Sequence, residues 1–72
     1  MSWSTLPPDL RKLAEEACTR KEIDALKLKA AGYGYRRIGV VLGIGATTAR
    51  DRISRAERKI LAALERFDEE SG

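Results

Sequence analysis

Three observations on this 72-residue chain predict an all-α fold. Apolar residues recur at spacings of three and four in four separate stretches, and glycine, proline or a Thr-x-x-Glu box stands at each junction. No stretch alternates with the period of two that a half-buried strand requires. The expectation is a small four-helix domain, with a tight turn between its two central short helices and a long C-terminal helix.

Residues 1–8 read as an extended arm, because Pro7 and Pro8 set φ and Pro7 pushes Leu6 out of the helical region. Helix one is expected at about 9–18, starting near Pro8 or Asp9, with Leu10, Leu13, Ala14 and Ala17 as its apolar stripe. Trp3 is expected to fold onto this helix, and Cys18 to be a small buried filler. Thr19 and Glu22 form a capping box, so helix two runs over 20–31 with Ile23, Leu26 and Ala30 inward. The Gly32 to Gly34 stretch stops it. Helix three then spans 35–42 and helix four 46–67, along which Ala49, Ile53, Ala56, Ile60, Ala63 and Phe67 form a heptad seam. Residues 68–72 remain as an acidic tail. There is no internal repeat, low-complexity tract or linker.

Charge is distributed unevenly. The whole chain carries a net charge of +3. Residues 50–59 hold Arg50, Arg52, Arg55, Arg58 and Lys59 against Asp51 and Glu57, whereas residues 65–72 hold Glu65, Asp68, Glu69 and Glu70 against Arg66. The basic charge therefore sits in the first half of helix four, where a polyanion would be attracted, and the end of the chain repels one.

Several function classes are disfavoured. With no histidine and Cys18 as the only cysteine, one chain can assemble neither a zinc site nor an internal disulfide, and no metal or cofactor is expected. The glycine pairs GYG and GIG follow no strand and lack a Walker lysine, so they do not read as phosphate loops. Paired carboxylates all fall on helix surfaces and no nucleophile has a base nearby in sequence, so the chain does not read as an enzyme. No apolar run approaches the ~20 residues that span a bilayer, and the start MSWSTLPPDL has neither the basic end nor the apolar core of a signal peptide. The expected location is the cytoplasm.

The segment from Tyr35 to Ala56, YRRIGVVLGIGATTARDRISRA, carries the most information. Ile38, Gly39, Leu42, Gly43, Ile44 and Ala49 stand where two helices crossing at a tight turn need a branched core residue, a small contact residue, a buried leucine, a turn glycine, a plug and a small core residue. That is a helix-turn-helix, whose second helix enters the major groove of DNA. Gly45 is expected to cap helix four. Projected around that helix, Thr47, Arg50, Asp51 and Ser54 point away from the seam and are the candidate base readers, Arg50 for guanine and Asp51 for a cytosine amine. Thr48, Arg52, Arg55, Arg58 and Lys59 on its flank, with Tyr35, Arg36 and Arg37 at the start of helix three, suit phosphate contact.

These residues resemble the DNA-binding domain shared by LuxR-type regulators and region 4 of bacterial sigma factors. In TRKEIDALKLKAAGYGYRRIG, the residues Lys21, Glu22, Asp24, Leu26, Leu28, Ala30 and Gly32 match its opening. The stretch IGVVLGIGATTARDRISRAERKI is similar to the sigma version, through Thr48, Ser54, Arg55, Ala56, Arg58 and Lys59. The likeness covers about Thr19 to Ile60. Gly45 departs from its usual serine cap and Ala49 from its usual valine, implying a looser turn and a lighter core. Neither the receiver or ligand domain of a LuxR regulator nor region 2 of a sigma factor is present, so the expectation is a free-standing small regulator of bacterial or phage type. The resemblance implies double-stranded DNA as partner, with RNA polymerase as an alternative partner, and a phage terminase small subunit offers a packaging role as a further alternative.

Helix four is longer than groove docking needs, at roughly 33 Å for ~1.5 Å per residue. The apolar face of Ile60, Leu61, Leu64 and Phe67 calls for a cover that helix one supplies only thinly. A homodimer through these four residues is expected, presenting two reading helices to a roughly palindromic site.

Overall fold

A computed structural model describes the backbone of residues 3–71, and the side chains of Trp3 and of residues 5–66. After a short 3-10 turn at Trp3–Thr5 come helices α1 (Pro8–Ala17), α2 (Arg20–Ala30), α3 (Tyr35–Leu42) and α4 (Ala46–Ser71), with no strand among the described residues. The domain is all-α. Its longest dimension, 42 Å, is set by the 26 residues of α4, against which α1, α2 and α3 all pack.

Local chemistry sets the helix ends. Pro8 opens α1, where its missing N–H costs no helical hydrogen bond. Thr19 caps α2 in a reciprocal box: its hydroxyl accepts from the Glu22 N–H at 3.2 Å, and Glu22 Oε1 accepts from the Thr19 N–H at 2.8 Å. Two helices end on the same hydrogen-bond pattern. The Tyr33 N–H reaches the Leu28 carbonyl and the Gly32 N–H the Lys29 carbonyl; Ile44 and Gly43 repeat this onto Gly39 and Val40. Both patterns need a left-handed residue, supplied by Gly32 at φ 100° and Gly43 at φ 72°.

Side chains from three helices meet in one centre. Ala25 of α2, Ile38 of α3, and Ala49 and Ile53 of α4 are fully buried, with Leu26, Leu28, Tyr33, Tyr35, Leu42 and Ile44 packed around them. Ile44 thus plugs the core from the turn, and the small residues let α4 approach its neighbours closely.

The structure corrects the expected boundaries in four places. Residues 3–6 are not part of an extended arm, since the Leu6 N–H closes a turn onto the Trp3 carbonyl at 3.2 Å, and residues 1–2 of that expected arm lie outside the described residues. That turn packs on α2, and Trp3 lies in a groove where Leu26, Lys29 and Ala30 of α2 meet Leu10 and Ala14 of α1. Ala31 and Cys18 are cap residues rather than the last residues of their helices. The fourth correction concerns residues 68–71, expected as a tail but helical, because no glycine or proline interrupts the backbone ladder before Gly72.

Candidate nucleic-acid interface

The joint between α3 and α4 depends on Gly39. A Cβ there would stand 2.6 Å from the Ile44 carbonyl oxygen and 3.2 Å from the Ala46 nitrogen, both main-chain atoms of the turn. Only a residue without a side chain lets the turn fold back over α3 this closely. The turn then starts α4 at Gly45, whose carbonyl accepts from the Ala49 N–H at 2.9 Å. Gly45 thus occupies the expected cap position, but it brings no side-chain oxygen. Gly34 starts α3 in the same way, without a side-chain cap. Neither glycine brings a side-chain acceptor to the first-turn N–H groups of its helix.

Burial of Ala49, Ile53 and Ala56 turns the opposite side of α4 outward. Thr47, Thr48, Arg50, Asp51, Arg55 and Arg58 are exposed, while Ser54 and Arg52 are half-buried. Thr47 and Arg50 join Tyr35 and Ala46 around an open cleft of about 140 Å³ between the first turns of α3 and α4. The structure thus brings two of the four candidate base readers together with Tyr35. Asp51 and Ser54 continue along the same helix beyond the cleft.

Further cations lie on α3 and at the end of α2. Arg36 and Arg37 are exposed on α3, and the Arg37 guanidinium lies 5.0 Å from the centre of the Tyr33 ring. The Lys29 ammonium sits 4.4 Å from the Tyr35 ring centre, which adds a cation absent from the sequence-derived set. Its spacing from Tyr35 gives no sign of this contact; the turn at Gly32 brings the end of α2 back beside the start of α3.

Lys59 is placed differently from the other candidate phosphate ligands. Its ammonium donates to Glu22 Oε1 at 2.8 Å, and the Glu22 side chain is 7% exposed against 43% for Lys59. Burial pushes the Glu22 carboxyl up, but hydrogen bonds from Lys59 and Thr19, together with the lysine charge, outweigh it and hold the group below its ordinary value of 4.5. Lys59 therefore neutralises a buried carboxylate between α2 and α4. Beside them the half-buried Cys18 thiol donates to the Ala56 carbonyl at 3.6 Å. Burial, and then the charge of Glu22, raise its pKa above 9.0, so the thiol stays protonated at neutral pH.

The expected dimer residues divide. Ile60 is half-buried in the groove that holds Trp3, and Leu64 is half-buried over Pro7, Leu10 and Leu13. Leu61 faces outward, 59% exposed. The Phe67 side chain lies outside the described residues. On α3, Val40 and Val41 are 78% and 55% exposed, an apolar pair that the sequence reading left without a role. Among the described residues no group of three or more acidic, cysteine or histidine side chains is placed to hold a metal, and no helix is long and apolar enough to cross a membrane.

Comparisons with protein-family models, curated proteins and solved structures return no match for the chain.

Proposed function

We propose that this chain is a DNA-binding transcriptional regulator that inserts the first half of α4 into the major groove of double-stranded DNA. The observation that carries the reading is the joint at Gly39. A backbone approach too close for any Cβ holds α4 against α3, while Thr47, Arg50 and Asp51 project outward. The exposed Arg36, Arg37, Arg55 and Arg58, with Lys29 beside Tyr35, supply the cationic rim that phosphate contact calls for. The resemblance of Thr19 to Ile60 to the LuxR and sigma region-4 domain supports the same reading, and a cytosolic location goes with it.

Selection of binding sites from a random duplex pool, followed by affinity measurement on variants, tests the proposal. Arg50→Ala weakens binding to the selected site by about 1–3 kcal/mol and hardly changes affinity for random duplex, because base contacts specify whereas phosphate contacts position. Arg36→Ala weakens both duplexes alike and lowers the slope of log affinity against log salt by roughly one unit. A pool that yields no enriched site refutes sequence-specific reading.

A second reading has its own observation. The exposed Val40 and Val41 give α3 an apolar outer face beside Arg36 and Arg37, as a protein-binding module acting on RNA polymerase or another regulator would have. Capture of polymerase without DNA, lost in a Val40→Ser, Val41→Ser variant, favours that reading.

A further inference from the structure

Beyond the reading segment, α4 carries an exposed stripe whose charge is self-complementary. Arg58, Leu61, Ala62 and Glu65 stand at spacings of three and four, so they share one side of the helix, and all four are exposed. Leu61 is among the most exposed large apolar side chains of the described residues, and the α1 cover that half-buries Ile60 and Leu64 does not extend to it. Among the described residues neither Arg58 nor Glu65 has an ion-pair partner; the recorded pairs are Arg20 with Asp24 and Lys59 with Glu22. A cation and an anion seven residues apart, on either side of an exposed leucine, match an antiparallel copy of themselves.

We propose that two copies of this chain pair through this stripe, with their α4 helices antiparallel and crossing between Leu61 and Ala62. Each Arg58 then faces Glu65 of the partner subunit, and the two leucines cover one another at the centre. A parallel pairing sets Arg58 against its own twin and loses both attractions.

The pairing also bears on DNA binding, and this step rests on the function proposed above. At ~3.6 residues per turn, Thr47, Ser54, Arg58, Leu61 and Glu65 follow one line along α4. The stripe and the reading segment therefore share a face. Because α4 runs on to Ser71, an antiparallel partner centred near Leu61 brings its last turn alongside Ser54. A paired copy then cannot lay that part of the helix on base edges, so pairing and DNA reading exclude one another. This differs from a dimer that offers two reading helices to a palindrome. One exposed leucine and two surface ion pairs make a weak contact, since exposed ion pairs contribute little each.

Sedimentation equilibrium tests the pairing without DNA. Arg58→Glu and Glu65→Arg, measured separately, each weaken self-association about tenfold, since each sets two like charges face to face. An equimolar mixture of the two variants regains wild-type association, because every facing pair becomes opposite in charge. Leu61→Ser, at an exposed position, gives a monomer with unchanged helical circular dichroism. A wild type that stays monomeric at ~1 mM, or a mixture of the two charge variants that stays as weak as either alone, overturns the proposal. The competition is read separately, by adding the duplex selected in the function test. Dissociation of pairs into monomers bound to DNA supports it, and a bound dimer that still responds to the Arg58 and Glu65 exchanges overturns it. A chain that pairs but binds no duplex refutes the DNA reading, and with it the competition, while the pairing stands.

Discussion

The two halves of α4 carry one apolar seam and bury it differently. In the first half Ala49, Ile53 and Ala56 are 0% exposed. In the second half Ile60, Ala63 and Leu64 are half-buried and Leu61 faces outward. Side-chain size does not explain the contrast, since the better-buried half has the smaller residues. Its cause is how tightly the neighbours close: α2 and α3 seal the first half into the centre of the core, whereas α1, α2 and the N-terminal turn meet the second half across open grooves. A regular pattern along a helix thus says which side faces in, and how closely the neighbouring elements shut over that side decides how dry it becomes.

The sharpest test of this contrast is one truncation made in each half. Ile53→Ala leaves a void in a closed site and lowers the unfolding free energy by about 4 kcal/mol, while Ile60→Ala at the half-open site costs about half as much. Equal losses in urea denaturation would mean that the second half is as tightly covered as the first.

Gly39→Ala tests the joint that positions the first half. In an open helix this change stabilises by about 1 kcal/mol through propensity. Here the added carbon meets the Ile44 carbonyl and the Ala46 nitrogen, so the turn has to move and the domain loses about 3 kcal/mol. A thermal midpoint at or above that of the wild type would show that the joint tolerates a Cβ.

Near the boundary between the halves, Lys59→Ala leaves the Glu22 carboxylate buried without its cation and costs about 2 kcal/mol at neutral pH, discounted because the lysine is partly exposed. The pH dependence follows from the lowered pKa of Glu22. The stabilisation is complete above the ordinary carboxylate value of 4.5 and is lost as pH falls through the lower folded value. Wild type and Lys59→Ala therefore converge in stability as the solution is acidified below that range. A constant gap between their unfolding curves would remove the ion pair as its source.

Local grammar accounts for how much of this was legible. Thr19 and Glu22 mark the start of α2, Gly43 marks the end of α3 and Ile38, Gly39 and Ala49 mark the crossing, because each acts within a few residues of the chain. The candidate site was legible in the same measure: Thr47, Arg50 and Asp51 do lie on the outer side of α4, since helical phase alone places them opposite the seam. Lys29 beside Tyr35 was not legible, because that contact depends on how the turn at Gly32 returns the chain.

By itself, then, the sequence determined the four helices, the turn glycines and the outward face of α4, all consequences of main-chain hydrogen bonding and a period near 3.6 residues. The tertiary structure alone decided that Glu22, read as a cap, is buried and takes the Lys59 ammonium as its partner. It also decided that Ala25 lies at the centre of the core, that Trp3 lies in a groove between α1 and α2, and that Leu64 is covered while Leu61 is not. Each of these turns on the angle and distance at which two helices meet. Residues as far apart as Glu22 and Lys59, 37 positions, set that geometry together, and no spacing along the chain records it.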